Sequence, residues 1–549
     1  MQRVAWVIAG SVATGVGVQV VRYEAGGLDI VFTLALIGTT CALVALVSRR
    51  PLFAVASVTT LVALILLVSK AKQEAMNMGL HAYDIIFYLG SWSTVRFLTE
   101  SYRLHVIALG LGIAAVIVVS VAAYRIDSLR LRRPASAAIV LGFALVALAA
   151  GLVRDRRDTS DLFFGDSYVS LFFASLPEAL PAIWSGNLME AASETPDPNF
   201  TMPATCQPDA MPNIVLIHQE SVVPPSYFPG LAYDRDVDSF FRSHDGKQHK
   251  LRVETFGGAS WLTEFSVLTG LSSYSFGSMR SFVQVIMADK VHDALPQVLD
   301  RCGYYNLIVY PMLRNFASNA RFYDSIGFHK FLDAKLQKAT QAAERDRFYY
   351  TNALSEMERH FAGSAQPMFV YILTQATHGT YDFTYMPEVE VAGGGPGADP
   401  LAHEYLRRLG MAAIDYEYFK AELARRFPDR PFLIVNYGDH QPDIARRLLG
   451  HGEYRGALSI ERHPEAFFTY YSVDAVGYRP PPQPALDYLD VPYLGTVLLN
   501  AARLPLPDSY RERARLMWLC SGRYHDCAHK AEILKFHRRL MNSGLIGPV

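Results

Sequence analysis

The sequence has almost no net charge. Its 51 Lys and Arg stand against 52 Asp and Glu, a formal charge of -1, so no global field draws it to nucleic acid or another polyanion. Cysteine is also scarce, with five in 549 residues. Cys41 lies in an apolar run and reads as inert packing. That leaves two bridges at most. Cys520 and Cys527 are near enough to close a short loop, and Cys206 and Cys302 a much longer one, though sequence alone does not fix the pairing. What the chain has in excess is apolar residues, concentrated in residues 1–155. Its length is too great for one ordinary domain.

Five apolar runs stand out: Val4–Val21, Leu28–Val47, Leu52–Ser69, His105–Tyr124 and Ser136–Val153. Each approaches the ~20 residues that cross a hydrocarbon core as a helix. A cleaved signal peptide accounts only for the first, so the expectation is a five-helix transmembrane domain over residues 1–155. Arg3, Arg49-Arg50 and the Arg125–Arg133 loop alternate as cytoplasmic segments, which places everything after Val153 outside. The cluster "RDRRD" from Arg154 to Asp158 runs against this, offset by its own aspartates. "HAYDIIFYLGSWSTVRFL" reads as an amphipathic helix at the membrane surface, or as a guide that leads a lipid to a site.

Residues 156–212 read as interfacial helices and a proline-rich linker, ending in "SETPDPNFTMPATCQPDAMPN". From residue 213 to 549 the pattern changes. Short apolar runs at Asn213–His218, Tyr305–Tyr310, Met368–Thr374, Phe432–Gly438 and Glu465–Val473 read as strands alternating with helices. That alternation predicts an α/β domain with a mostly parallel sheet, whose ligands bind beyond the carboxyl ends of the strands.

The polar residues at those ends carry the chemistry. Glu220 follows the first strand, and Asp439-His440 follows "NYG". A carboxylate straight after a buried strand needs a partner. Two carboxylates and an imidazole suit Zn²⁺ or Mn²⁺. A one-metal phosphoryl-transfer site also needs a hydroxyl nucleophile, and Ser260 in "GGASWLTEF" is placed for it. Gly257 and Gly258 permit a tight turn and close approach of a phosphate. Ser260 also reads as an N-cap, with Thr263-Glu264 completing a loose capping pattern. The residues leave both readings open.

"HQES", "GGASWLTEFSVLTGLS", "THGTYDF" and "NYGDHQ" resemble, in this order, the sulfatase-like branch of the alkaline phosphatase superfamily. They look most like its membrane phosphoglycerol transferases, the lipoteichoic acid synthase type, with lipid A phosphoethanolamine transferases as more distant relatives. The resemblance implies transfer of phosphoglycerol, or phosphoethanolamine, from phosphatidylglycerol or phosphatidylethanolamine to a glycan or lipid acceptor. It implies a multi-pass protein of a bacterial inner membrane with a periplasmic catalytic domain. One Mn²⁺ or Zn²⁺ would be held by Glu220, Asp439, His440 and the nucleophile Ser260. His378 would contact phosphate as general acid or base, Gly258 would leave room for it, and Arg314, Asn319 or Arg321 would bind it. The family's usual threonine nucleophile is serine here. The Pro and Arg that mark true sulfatases after the nucleophile are absent from Ser260-Trp261-Leu262-Thr263-Glu264, which argues against sulfatase activity. A phosphodiesterase or phosphatase using water, or an inactive lipid- or glycan-binding protein, are the alternatives.

Overall fold

In a computed structural model of the chain, two compact units separate. One is Met1–Ser185; the other is built from Gly186–Glu453 and Leu458–Val549. The structure describes residues 2–547, apart from 25, 77, 89–91, 154–167, 186–188, 202–205, 207–210, 315, 317–318, 396–398 and 453–457. The "RDRRD" cluster lies outside the described residues.

The first unit contains α1 (Gln2–Tyr23), α2 (Gly27–Ser48), α3 (Pro51–Met76), α4 (Trp92–Ser101), α5 (Arg103–Ile126), α6 (Arg133–Val153) and α7 (Val169–Ser185). Five of them, α1, α2, α3, α5 and α6, are long and apolar enough to cross a membrane. Leu111, Val118, Leu141 and Leu148 are exposed on these helices, as side chains facing lipid would be.

One end of this unit gathers the arginine loops. Arg50 donates to the carbonyls of Tyr124 and Asp127, and the Asp127 carboxylate accepts the Leu52 and Phe53 amides at 2.8 and 3.2 Å. Ser128 donates to Gln2 at 2.6 Å, so the N-terminus lies at the same end. At the other end, the Glu24 carboxylate accepts the amides of Val169 and Ser170 at 2.8 and 3.0 Å. It thereby caps α7 from outside the helix, where a negative charge is favoured.

Among the described residues, the expected surface helix over residues 81–98 is regular α-helix only in part. A π-helical turn at Asp84–Tyr88 precedes α4. The segment is drawn inward because Lys72 grips the Asp84 carboxylate at 2.7 Å and the Ala82 amide reaches Ser175 Oγ at 2.9 Å. His81 and Asp84 are buried as a result.

The second unit is built on one sheet in the order β4-β3-β5-β1-β6-β7-β2-β8. The strands are β1 (Asn213–Gln219), β2 (His249–Arg252), β3 (Tyr305–Val309), β4 (Lys330–Leu332), β5 (Met368–Leu373), β6 (Phe432–Gly438), β7 (Phe468–Val476) and β8 (Leu489–Asp490). Strands β4, β3, β5, β1 and β6 are parallel; β7 runs antiparallel to β6 and β2. Every residue of β1, β5 and β6 is buried, as central parallel strands covered on both faces require. The five expected strands are present. β2, β4 and β8 have four, three and two residues, too few for a periodic signal. The register pairs Gln219 with Gly438 and His218 with Leu373, so the chain leaves β1, β5 and β6 at one edge of the sheet.

The proline-rich stretch is not a free linker where it is described. The Ala192 amide bonds to Leu534 O, and the Phe200 amide to Ser543 Oγ at 2.8 Å. The Phe200 ring meets Phe536, with Arg539 3.9 Å from its centroid. Residues 190–200 therefore form a strap along the C-terminal helix Lys530–Asn542, whose Ile533, Phe536, His537 and Leu540 pack inward. Cys206–Cys302 and Cys520–Cys527 are disulfides, and Cys41 is free.

Cys206 and Cys302 are 96 residues apart, whereas Cys520 and Cys527 are separated by 7. Closing the longer loop restricts the unfolded chain more. Replacing the Cys206–Cys302 pair by serines is expected to destabilise the second unit by about 2–4 kcal/mol. Replacing the other pair should cost less. Thermal unfolding of the full-length protein, oxidised and reduced, measures both.

Candidate active site and metal centre

The aligned ends of β1 and β6 bring Glu220 and Asp439 together. Gly438 makes this possible: a Cβ there would lie 2.0 Å from the Val222 carbonyl oxygen. Only glycine lets the two strand-end peptides pack so closely. Asp439 Oδ1 accepts the amides of Ser221 and His440, each at 2.7 Å. Ser221 Oγ donates to Glu220 Oε1 at 2.7 Å. Ser221 itself has a φ of 56°, a left-handed conformation that a non-glycine residue adopts at a cost, as residues at functional sites often do.

Ser260 opens helix α8 (Ser260–Thr269). It is not the cap: Ala259 occupies that position with φ 63°, and no side chain caps the helix. Ser260 is the first helical residue, and its hydroxyl turns to the cluster. Oγ lies 3.1 Å from Glu220 Oε2 and 3.3 Å from His440 Nε2. Gly257, with φ 68°, makes the preceding turn, and its amide bonds to Gln441 O at 2.9 Å. A Cβ at Gly258 would meet nothing within 4 Å, so that face of the turn is open. One turn into α8, Thr263 Oγ1 donates to Asp439 O at 2.7 Å. Ser260 and Thr263, three apart on one helical face, both meet the Asp439-His440 pair, Ser260 at the His440 imidazole and Thr263 at the Asp439 carbonyl. Glu264 completes no capping box; it is buried, with the Gln284 amide 3.4 Å away. Burial pushes its carboxyl up to about 7, opposed by His218. Trp261 donates its indole N–H to Ser281 O at 3.0 Å, which fixes the start of the helix against the following segment.

Sequence reasoning missed His218. Its Nε2 is 3.1 Å from Asp439 Oδ2, and its Nδ1 is 2.9 Å from Tyr437 OH, which meets Tyr371 OH at 2.8 Å. A signal was present: His218 and Glu220 are two residues apart, the spacing that puts side chains on one side of a strand. His218, Glu220 and Asp439 offer ligand atoms all within 4.8 Å of one another. His440 Nε2 adds contacts of 3.5 Å to Glu220 and 3.3 Å to Asp439. Its Nδ1 is 3.0 Å from Gln441 O, and donation there leaves Nε2 as the lone-pair nitrogen. Burial alone would raise the Asp439 carboxyl, but His440 and His218 hold it well below the usual carboxylate range. Burial opposes a charged His218, yet Asp439 raises its pKa above the ordinary value.

The other expected site residues are placed differently. His378 is exposed on the loop after β5, one residue beyond Thr377, whose hydroxyl donates to the Glu220 carbonyl. Arg314 and Arg321 are engaged in ion pairs with Asp324 and Asp289, both at 2.6 Å. Asn319 begins a short helix, Asn319–Ser325; its side chain lies outside the described residues.

Residues 212–476 match the family described as Sulfatase. An uncharacterized protein of Haemophilus influenzae is 25% identical over 339 residues, 58% of this chain and 58% of its own; this chain thus spans less than two thirds of that relative. Among solved structures, the Streptococcus pyogenes phosphoglycerol transferase GacH matches at 16% identity and TM-score 0.48, over 62% of this chain and 86% of its own. The Neisseria meningitidis integral membrane protein lipooligosaccharide phosphoethanolamine transferase A matches at 10% identity and TM-score 0.49, over 90% of this chain and 96% of its own. The Glu220, Ser260, Asp439 and His440 cluster lies within the part of this chain that matches the Sulfatase family.

Proposed function

We propose that this protein transfers a phospho-alcohol head group, phosphoglycerol first and phosphoethanolamine second, from a membrane phospholipid to an extracytoplasmic glycan or lipid. The observation that carries the reading is the Ser260 hydroxyl, half-buried at a helix start, within 3.1 Å of Glu220 and 3.3 Å of His440. A serine there has a nucleophile's partners, and the positive end of α8 favours an incoming phosphate. The five apolar helices on the same chain supply the reason for a lipid donor. Two disulfides in the second unit suit an oxidising compartment outside the cytoplasm.

The donor set fits a divalent cation. Glu220 and Asp439 are buried side by side. Among the described residues their ion-pair-distance partners are the imidazoles of His218 and His440, not lysine or arginine. Two such carboxylates are costly without a strong cation. Glu220, Asp439, His440 and Ser260 would hold Mn²⁺ or Zn²⁺, which lowers the pKa of a coordinated hydroxyl. His218 orients Asp439 from behind. Ser260 Oγ, its proton released to solvent, attacks the head-group phosphorus. The phosphorus–oxygen bond to diacylglycerol breaks, and the departing oxygen takes a proton from His378. The phospho-alcohol remains on Ser260. His378 then accepts the proton of an acceptor hydroxyl, whose oxygen attacks the same phosphorus and frees Ser260. The open face beside Gly258 accommodates the phosphate.

Full-length protein with Mn²⁺ and fluorescent phosphatidylglycerol or phosphatidylethanolamine should release diacylglycerol, and Ser260→Ala should lower the rate by at least about 10³-fold. Equal rates in the two proteins would remove Ser260 from the mechanism. Water in place of an acceptor would give free glycerol phosphate or phosphoethanolamine as the product, the signature of a hydrolase.

Removing an orienting partner from a metal ligand typically costs about 10–100-fold in affinity. His218→Phe is therefore expected to weaken Mn²⁺ or Zn²⁺ binding by that factor, read by isothermal titration calorimetry. His218→Gln, which keeps a donor, should retain more of the affinity.

A further inference from the structure

His378 is the one residue of the proposed mechanism that is exposed and on a loop. Its Nδ1 bonds to Gly379 O, one residue away, at 2.7 Å. That contact fixes a ring relative to its own backbone and nothing else. The His378 amide bonds to Gln375 O at 3.1 Å; its carbonyl and the backbone beyond are held by a side chain on another element, the long helix Pro400–Arg426.

Arg408 on that helix is 2% exposed at its side chain. Its guanidinium uses three nitrogens on four oxygens. Nε donates to Glu404 Oε1 at 2.7 Å and Nη1 to the His378 carbonyl at 2.7 Å. Nη2 donates to the carbonyls of Thr380 at 2.9 Å and Phe383 at 3.3 Å. The rings of Tyr381, Phe383 and Tyr385 lie 5.1, 4.8 and 5.2 Å from its central carbon. Glu404 Oε1 also accepts the Tyr385 amide at 2.8 Å. Its Oε2 holds Arg407, which donates to Val389 O at 2.8 Å. At the other end, the Tyr381 hydroxyl donates to Thr377 O at 2.7 Å, and Thr377 is tied to the Glu220 carbonyl.

We propose that Arg408 is the positioning residue for His378: its buried guanidinium gathers the carbonyls of His378, Thr380 and Phe383 and so sets where the His378 imidazole stands in the proposed transfer. The chemistry is specific to arginine. A planar fork satisfies several carbonyls at fixed angles, whereas a lysine ammonium acts as one point charge. A structural ion pair would need only Glu404. The three loop carbonyls, the first belonging to His378 itself, make the contact one of loop geometry. A displacement near 1 Å of a proton-transfer group is enough to cost about 10²-fold in rate.

The inference rests on the role proposed above for His378, and a double-mutant cycle separates the two. Full-length protein would be assayed for diacylglycerol release with Mn²⁺ and phosphatidylglycerol or phosphatidylethanolamine, as wild type, Arg408→Met, His378→Ala and the double variant. Arg408→Met is expected to lower kcat about 10²-fold in the wild-type background and by less than about threefold when His378 is already alanine. Mn²⁺ affinity, read by calorimetry, should stay at the wild-type value. Arg408→Lys keeps the charge beside Glu404 and tests the fork if the methionine variant does not fold; it too should lower kcat only when His378 is present. An equal fold-loss in both backgrounds, a loss of Mn²⁺ affinity, or wild-type kcat in Arg408→Lys and Arg408→Met would overturn the positioning role. Wild-type activity in His378→Ala, or no diacylglycerol release from either lipid, would instead overturn the reading of the site on which the proposal stands.

Discussion

Two buried carboxylates at the ends of neighbouring strands set the terms for the rest of the second unit. Glu220 and Asp439 are adjacent because β1 and β6 end in step, and because Gly438 admits the Val222 carbonyl where any side chain would collide. Such a pair repels, and burial strengthens the repulsion. The surrounding protein answers it with amides on Asp439 Oδ1, a hydroxyl on Glu220 and imidazoles on both flanks. The arrangement is fitted to receive positive charge, and every element near it is placed relative to that point.

Helix α8 is the clearest example. Thr263 anchors its first turn to the Asp439 carbonyl, Gly257 ties the preceding turn to Gln441, and Trp261 fixes the other side to Ser281. Three anchors fix the start of the helix, where the Ser260 hydroxyl meets Glu220 and His440. The same peptides serve twice. The Gln441 carbonyl holds both the Gly257 amide and His440 Nδ1, so the turn before Ser260 and the tautomer of His440 are fixed by one oxygen. The loop after β5 is built on a similar plan, with Thr377 on the Glu220 carbonyl and Arg408 on the carbonyls beyond it.

Much of this was legible in the sequence, for physical reasons that also mark the limits. The apolar helices were visible because a span must be uniformly apolar over its length. Strands β1, β3, β5 and β6 were visible because central parallel strands are continuous buried runs, and Glu220 and Asp439-His440 stood out as charges that end such runs. His218 was hidden by the same feature: inside a buried run, one imidazole does not reveal that it faces Asp439. Ser260 read equally as a cap, because helix starts and nucleophile turns draw on the same residues. Only the left-handed Ala259 shifts the cap back by one and releases the hydroxyl. Long-range partners were beyond reach. Nothing in the order of residues reveals that Arg314 and Arg321 meet aspartates, that residues 190–200 lie along the C-terminal helix, or that residues 80–84 are drawn into the helical unit by Lys72. The short strands β2, β4 and β8 exist only through pairing with longer neighbours, so they carry no signal of their own.

The central claim is that Ser260 takes the head group covalently. The most direct measurement is the intact mass of the protein after brief exposure to phosphatidylglycerol or phosphatidylethanolamine with Mn²⁺, followed by peptide mapping of the quenched sample. The account predicts a phosphoglycerol or phosphoethanolamine adduct on the peptide containing Ser260, absent from Ser260→Ala. Diacylglycerol release with no adduct at any time point, or an adduct that persists in Ser260→Ala, would contradict it.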